Sequence, residues 1–405
     1  MNVPLSRPDI SDLEIDYVTR VLRSGQLSLG PRVPEFEEKF AAFVGARHAI
    51  AVNSGTSALH LAVRALGIGP GDEILTTSFS FVASANCALF EGALPVFLDI
   101  DRETLNLDPR ELRLFLRSSC VFDCSTGVVT DVRTARRVRA ILPVHVFGLA
   151  CDMDPILELA HEYNLRIIED ACEALAATYR GHSVGTFGDF GVFAFYGNKQ
   201  MTTGEGGMVV TNSGELASLC RSLRNQGRDA QSDWLRHVRL GYNYRLSDIH
   251  AALGLAQLER INYLLDKRAR VARLYQNLLA GHPMLCLPAT PPERTRSWFV
   301  FPIQLRATAD LPNPQLRDLV LVELRKRGVA CQSYFPAIHR QPYFLNGEFG
   351  PQCHLPRTEE ASDNCLVLPF FSTMTADQVR YVCDNLLEIL HSITARTTPQ
   401  YTVAD

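Results

Sequence analysis

The stretch "FGVFAFYGNKQMTTGEGGMVV", residues 190–210, sets two apolar runs on either side of one lysine, Lys199, and a cluster of glycines. The runs "GVFAF" (191–195) and "MVVT" (208–211) are too apolar on both faces for a half-exposed sheet, so they predict strands buried on both sides. Three uses compete for the lysine between them: holding a phosphate, carrying a covalent cofactor, or lying in a solvated loop. As a nucleotide loop the stretch fails, because G-x-x-x-x-G-K-[ST] needs Ser or Thr after the lysine and Gln200 stands there. "GEGG" does not match the dinucleotide pattern G-x-G-x-x-G either. An amine set against apolar and aromatic neighbours can lose its proton by desolvation and serve as nucleophile and proton carrier, which is Schiff-base chemistry.

Runs of the same apolar kind recur N-terminal to it, at "EILTT" (73–77), "PVFLDI" (95–100), "AILPVHV" (140–146) and "RIIED" (166–170). Between them lie helical patterns. "PEFEEKFAAFVG" puts Phe36, Phe40 and Phe43 on one face and stops at Gly45, and "SALHLAVRALGIG" repeats the spacing with Leu59, Ala62, Val63 and Leu66. Such alternation predicts an α/β domain with a largely parallel, buried sheet over residues 1–250. From 246 to 281 a helical run opens at Ser247, an N-cap residue, and its length predicts a bent or broken connecting helix. Beyond the proline-rich "HPMLCLPATPPERTRS", short strands and helices such as "WFVFPIQL" predict a smaller α+β domain, giving 251–395 for connector plus second domain and 396–405 for a frayed tail.

The chain of 405 residues is long enough for two domains, and 46% hydrophobic with 21% charged residues is an ordinary globular balance. A net charge of -4 with scattered Lys and Arg argues against a nucleic-acid binder, and the basic "RTARRVRA" (133–140) reads as a solvated edge or hairpin flank. The 11 cysteines form no regular framework and "MNVPLSRPDI" lacks the apolar core of a signal peptide, so a cytoplasmic chain with reduced thiols is expected. No apolar run reaches the roughly 18 residues of a membrane span. "HEYNL" lacks the second histidine of H-E-x-x-H and "CVFDC" has no partner pair, so no metal is expected.

In open α/β sheets chemistry gathers beyond the carboxyl ends of the strands. "NSGTSALHL" (53–61) opens a helix with Ser54, Gly55 and Thr56, either as an ordinary N-cap or as an anion site in which backbone amides and the helix dipole meet a phosphate. "IIEDACEALAATY" (167–179) ends an apolar strand with Asp170, which either caps a helix or holds a protonated nitrogen. A phosphate cradle, an acid for a ring nitrogen and a desolvated lysine are the fixtures that pyridoxal phosphate requires.

Their order and the surrounding blocks resemble one family over almost the whole chain: "SGQLSLGPRVPEFEEKFAAF", "NSGTSALHLAVRALGIGPGDEIL", "PVHVFGLACDMDPILELA", "EDACEA", "GNKQMTTGEGGMVVTN", "GYNYRLSDIHAALGLAQLERI" and "CLVLPFF". These are similar to the sugar aminotransferases of the DegT/DnrJ/EryC1/StrS family, a branch of the fold-type-I pyridoxal-phosphate enzymes. The resemblance implies an α/β large domain with a mostly parallel seven-stranded sheet flanked by helices, a smaller C-terminal α+β domain, and a homodimer with shared active sites. It assigns Lys199 to the internal aldimine with pyridoxal 5'-phosphate and to proton transfer, with pyridoxamine phosphate as intermediate. Asp170 matches the acid that keeps the pyridinium protonated, and Glu173 lies where the family often has Gln, near the phenolic oxygen. Ser54, Gly55 and Thr56 match the phosphate turn, Phe81 the stacking aromatic, and Asn243 an asparagine that reaches the phosphate from the neighbouring subunit. His339, in "YFPAIH", matches the segment near the sugar, although it reads equally as a surface-loop histidine.

Two departures stand out. Ala194 occupies a place where many members have serine, which removes a hydroxyl from the phosphate, and residues 117–140 form a longer segment resembling a hairpin insertion. By resemblance the expected activity is transfer of an amino group from L-glutamate to a keto group of a nucleotide-linked sugar, the 4-keto carbon of a 6-deoxyhexose. A sugar 3-dehydrase would carry histidine in place of Lys199, and a non-catalytic, cofactor-binding regulator is the rival from another class.

Overall fold

The computed structural model describes residues 1–229, 236–307, 311–349 and 353–397. The strands of its first sheet and adjoining ribbon, in chain order, are β1 His48–Val52, β2 Asp72–Thr77, β3 Leu94–Leu98, β4 Cys120–Asp123, β5 Val128–Asp131, β6 Arg136–Leu142, β7 Arg166–Asp170, β8 Thr178–Tyr179, β9 His182–Ser183, β10 Phe190–Ala194 and β11 Gly207–Thr211. Seven of them run in the order β1-β11-β10-β7-β6-β2-β3, and β8 and β9 form a separate two-stranded ribbon. From β10 to β3 every neighbour is parallel, while β11 is antiparallel to both β10 and β1. Helices cover both faces. Phe193 and Phe195 of one face meet Phe40 of the helix Arg32–Val44 at ring separations of 5.2 and 5.4 Å, and Phe190 and Val192 pack in a second core on the other face. Burial on both sides is what the apolar runs predict, each such side chain contributing about 1.5–3 kcal/mol.

The longer segment at 117–140 is a hairpin. Its strands β4 and β5 pair antiparallel, β5 pairs with the start of β6, and the sheet becomes nine-stranded. The Asp123 carboxylate accepts bonds from the Ser125 amide and hydroxyl and from Thr126 Oγ1, closing the turn before Gly127. The strand expected at 140–146 begins at Arg136 and ends at Leu142. It starts early because the hairpin pairs Val129 with Val138 and Arg137 Nε donates to Asp72 Oδ1 at 2.8 Å; it stops because Pro143 has no N–H for a ladder.

Ser247 caps the helix Asp248–Glu259, Arg260 breaks it, and the chain resumes as Ile261–Leu279, which is the broken connector expected. Arg260 ties the break to the N-terminus through Glu14 Oε1 at 2.6 Å and Asp9 Oδ1 at 2.8 Å. Ala251, Leu255 and Leu258 belong to the core of the first sheet. Val271, Ala272 and Tyr275 belong to the core of a second unit, built on an antiparallel sheet of Leu285–Cys286, Phe301–Leu305, Cys365–Leu368 and Gln332–Ser333. Val3 lies in that second core too, so the first residues of the chain pack on its C-terminal unit. The last helix is Ala376–Thr397; the tail expected from 396 lies, beyond Thr397, outside the described residues.

Candidate active site

The strands β1, β7 and β10 end at the same edge of the sheet, and a cavity of about 420 Å³ opens there. After β1, Ser54 caps the helix Gly55–Ala65 by accepting the Ser57 amide at 3.1 Å. The amides of Gly55 and Thr56 precede the first intrahelical bond and point out of the helix, where an anion is stabilised by them and by the dipole. The turn is closely packed from below. A Cβ on Gly55 would stand 2.7 Å from Ala194 Cβ and 3.2 Å from Cys172 Sγ, and one on Gly207 would stand 2.4 Å from the Ser54 carbonyl oxygen. Glycine at both positions lets the turn seat on the end of the sheet.

Asp170 closes β7 with only 5% of its surface exposed. Its Oδ2 accepts from Ser84 Oγ at 2.7 Å and its Oδ1 from the Cys172 amide at 3.1 Å. No helix follows it, so it is not a helix cap; it is a fixed carboxylate on the cavity wall, suited to a protonated nitrogen.

Lys199 follows β10 on a turn in which its amide donates to the Tyr196 carbonyl at 3.0 Å. Its Nζ lies 3.7 Å from Glu173 Oε1 and 3.9 Å from the ring centre of Phe299, a residue of the C-terminal unit. The Phe147 amide holds Glu173 Oε2 at 2.9 Å. Burial pushes the Glu173 carboxyl above its usual range, and the Lys199 cation pulls the other way. Gln200, which breaks the nucleotide-loop pattern, donates through Nε2 to the carbonyls of Glu173 at 2.5 Å and Ser297 at 3.1 Å, and so pins the lysine turn to both units. Tyr334 and Phe335, stacked at 4.4 Å, complete the wall, and burial raises the Tyr334 phenol.

The cavity thus gathers Ser54, Gly55, Thr56, Phe81, Asp170, Glu173 and Lys199. Phe81 keeps 59% of its surface exposed at the mouth. Two expected residues lie elsewhere. Asn243 is exposed and off the cavity wall, bridged to Asn225. His339 lines a separate cavity of about 480 Å³ beside Phe97 and Glu359. There Ser78 Oγ accepts the His339 amide and meets Nδ1 at 2.7 Å, while Nε2 faces Glu359 Oε1 at 3.3 Å. That network fits a neutral ring with its proton on Nε2, and burial lowers its pKa.

Sequence reasoning missed Ser84, Asn198, Phe299, Tyr334 and Phe335. The aromatic pairs at 298–299 and 334–335 were the available signal, but "WFVFPIQL" reads first as a strand and "YFPAIH" drew attention to its histidine. An amine, a fixed carboxylate and a helix N-terminus kept clear by glycine fit the aldehyde, ring nitrogen and phosphate of pyridoxal phosphate.

The profile of the DegT/DnrJ/EryC1/StrS aminotransferase family matches residues 8–387. GDP-perosamine synthase of Caulobacter vibrioides is 44% identical over 347 residues, covering 85% of this chain and 87% of that protein. Spore coat polysaccharide biosynthesis protein SpsC of Bacillus subtilis is 35% identical, covering 96% of this chain and 97% of its own. Among solved structures, S. venezuelae DesV in complex with a ketimine intermediate superposes with a TM-score of 0.84 at 33% identity, over 96% of this chain and 98% of that one. Helicobacter pylori PseC, an aminotransferase involved in the biosynthesis of pseudoaminic acid, gives 0.87 at 28% identity, over 97% and 100%. The likeness spans nearly the whole chain: it is an α/β, fold-type-I aminotransferase and belongs to the DegT/DnrJ/EryC1/StrS family.

Proposed function

We propose that the protein transfers an amino group from L-glutamate to the 4-keto carbon of a nucleotide-linked 6-deoxyhexose, using pyridoxal 5'-phosphate. The observation that carries the reading is the convergence of Lys199, Asp170 and the Ser54–Gly55–Thr56 turn on one cavity. The 44% identity to a protein named GDP-perosamine synthase makes GDP the first nucleotide to try.

Pyridoxal phosphate, when bound, supplies an electron sink and a carrier for the amino group. Gly55 and Thr56 would hold its phosphate, Asp170 would keep a proton on its ring nitrogen, Phe81 would cover the ring and Glu173 would face its phenolic oxygen. The Lys199 amine would hold the cofactor's aldehyde carbon and would move a proton at the substrate carbon, the general acid–base step. Phe299, Tyr334 and Phe335 exclude water from that amine. Asn243 lies off its own chain's cavity; by the family resemblance it would reach the phosphate in a second copy, which makes a homodimer the proposed working form.

The test mixes the holoenzyme with L-glutamate, then with a panel of GDP-, UDP- and dTDP-linked ketosugars. Conversion of the cofactor absorbance to the amine form by glutamate, and its reversal by one ketosugar, is expected. No spectral change with glutamate would overturn the reading in favour of a binding protein without turnover.

A further inference from the structure

Arg268, on the helix Ile261–Leu279, is 4% exposed, yet among the described residues it pairs with no carboxylate. Its Nη2 donates to the carbonyls of Lys199 at 3.0 Å and Asn198 at 3.2 Å, and its Nη1 to those of Phe299 at 3.1 Å and Trp298 at 3.4 Å. Its Nε is buried without a hydrogen-bond partner among the described residues, and the guanidinium lies 5.5 Å from the ring centre of Phe370. Burial lowers its pKa to about 10, so the group stays cationic at neutral pH.

A cation buried without a counter-charge is expensive, and a helix that needed only packing would carry an apolar side chain here. What the guanidinium gains is geometric. Its rigid fork takes one pair of carbonyls from the backbone that bears Lys199 and a second pair from the Trp298–Phe299 segment just before the strand Phe301–Leu305, Phe299 being the ring against which the Lys199 amine rests at 3.9 Å. The two pairs come from opposite units of the molecule, and Arg268 sits on the helix that joins those units.

We propose that Arg268 is the positioning residue of Lys199: one guanidinium clamps the lysine turn and the Trp298–Phe299 backbone together, and so aims the amine into the cavity only when the C-terminal unit is seated. The inference rests on Lys199 being the amine that takes the cofactor, and its test separates the two. A lysine at 268 keeps the charge but cannot span both carbonyl pairs, and a methionine removes the charge at similar length.

The experiment strips the cofactor from the full-length wild type, Arg268→Lys and Arg268→Met, adds pyridoxal phosphate, and quenches with borohydride at intervals. Peptide mass spectrometry then reads the fraction of Lys199 that carries the cofactor. Affinity for 4'-deoxypyridoxine phosphate, which has the ring and phosphate but no aldehyde, is measured in parallel. Arg268→Met should slow trapping by about 10- to 100-fold and Arg268→Lys by about threefold or more, while both keep analogue affinity within about threefold. Unchanged trapping in either variant would overturn the proposal, and so would analogue affinity falling in step with trapping, which is general damage to the site. Where Arg268→Met fails to fold, Arg268→Lys decides alone. A wild type trapped anywhere other than Lys199 would instead refute the functional reading beneath it.

Discussion

The Lys199 amine and the Glu173 carboxylate face each other at 3.7 Å, and the second Glu173 oxygen is held by the amide of Phe147. Burial raises the Glu173 pKa, against the pull of Lys199, so the carboxylate is lost on acidification earlier than an ordinary one would be. Glu173→Gln keeps an acceptor for Phe147 and removes the ionisation. The acid limb of log kcat/KM against pH should lose one proton's slope, with kcat at pH 8 within about tenfold of wild type. An acid limb of unchanged slope and midpoint would assign the ionisation to another group.

Lys199→Ala should lower kcat by at least about 100-fold, the usual scale of a positioned acid–base group. Its melting temperature should stay within about 2 °C of wild type, because the side chain lines a cavity rather than filling a core. Single-turnover conversion of L-glutamate to 2-oxoglutarate checks the first and calorimetry the second.

Ala194 sits directly under the Ser54–Gly55–Thr56 turn, its Cβ 2.7 Å from where a Gly55 Cβ would be. Gly55→Ala should therefore cost about 1–3 kcal/mol by overpacking, and adding Ala194→Gly should recover much of it. Ala194→Ser should tighten pyridoxal phosphate by about tenfold or more if its hydroxyl gains a charge-assisted bond. Equilibrium dialysis reads the affinity, and an unchanged value for Ala194→Ser would mean that the phosphate is already saturated by other donors.

His339 is bonded by Ser78 and Glu359 in a cavity apart from the lysine. His339→Ala should lower stability in urea by about 1–3 kcal/mol and leave kcat/KM within about threefold. Loss of ketosugar turnover at unchanged stability would restore the sugar contact that its sequence position suggests.

Glu73 is buried beneath the hairpin, its Oε1 accepting from Thr134 Oγ1 at 2.7 Å, and burial raises its pKa. A carboxyl whose folded pKa lies above its unfolded one loses stability as pH climbs from the unfolded value through the folded one. Glu73→Gln should thus raise the melting temperature at pH 8 by about 1–3 °C, and the gain should shrink toward pH 5. A gain independent of pH would locate the effect in packing rather than charge.

Buried strands with an apolar centre were the most legible part of the fold, because burial on both faces removes the alternation that would compete with the apolar run: β2, β7, β10 and β11 lie within a residue of where the runs place them. Strand β1 was missed. "HAIAV" alternates alanine with its only branched residues, and alanine has little strand preference, so nothing local marks it. The start of β6 was misread for the opposite reason. Arg137 and Arg139 look like a solvated flank, but Arg137 is paired with Asp72 in the ladder and both side chains reach the Asp72 carboxylate on the neighbouring strand. In the site, Ser54, Asp170 and Lys199 were legible because each ends or follows a strand at a turn. Ser84 and Phe299 were not, because their closeness to Asp170 and Lys199 is created by the packing of distant segments and leaves no trace in spacing.

That Tyr334 and Phe335 line a cavity whose floor is laid by Ser54, Asp170 and Lys199, with Phe299 against the Lys199 amine, gives the site a history as well as a shape. A ribosome delivers the floor first. At roughly 5–20 residues per second, the amine emerges on the order of ten seconds before the last aromatic wall, and through that interval it stands in water. The nascent chain therefore carries its reactive group before it carries the means to shelter it, and any chain cut short of Phe335 would leave translation in that unsheltered state.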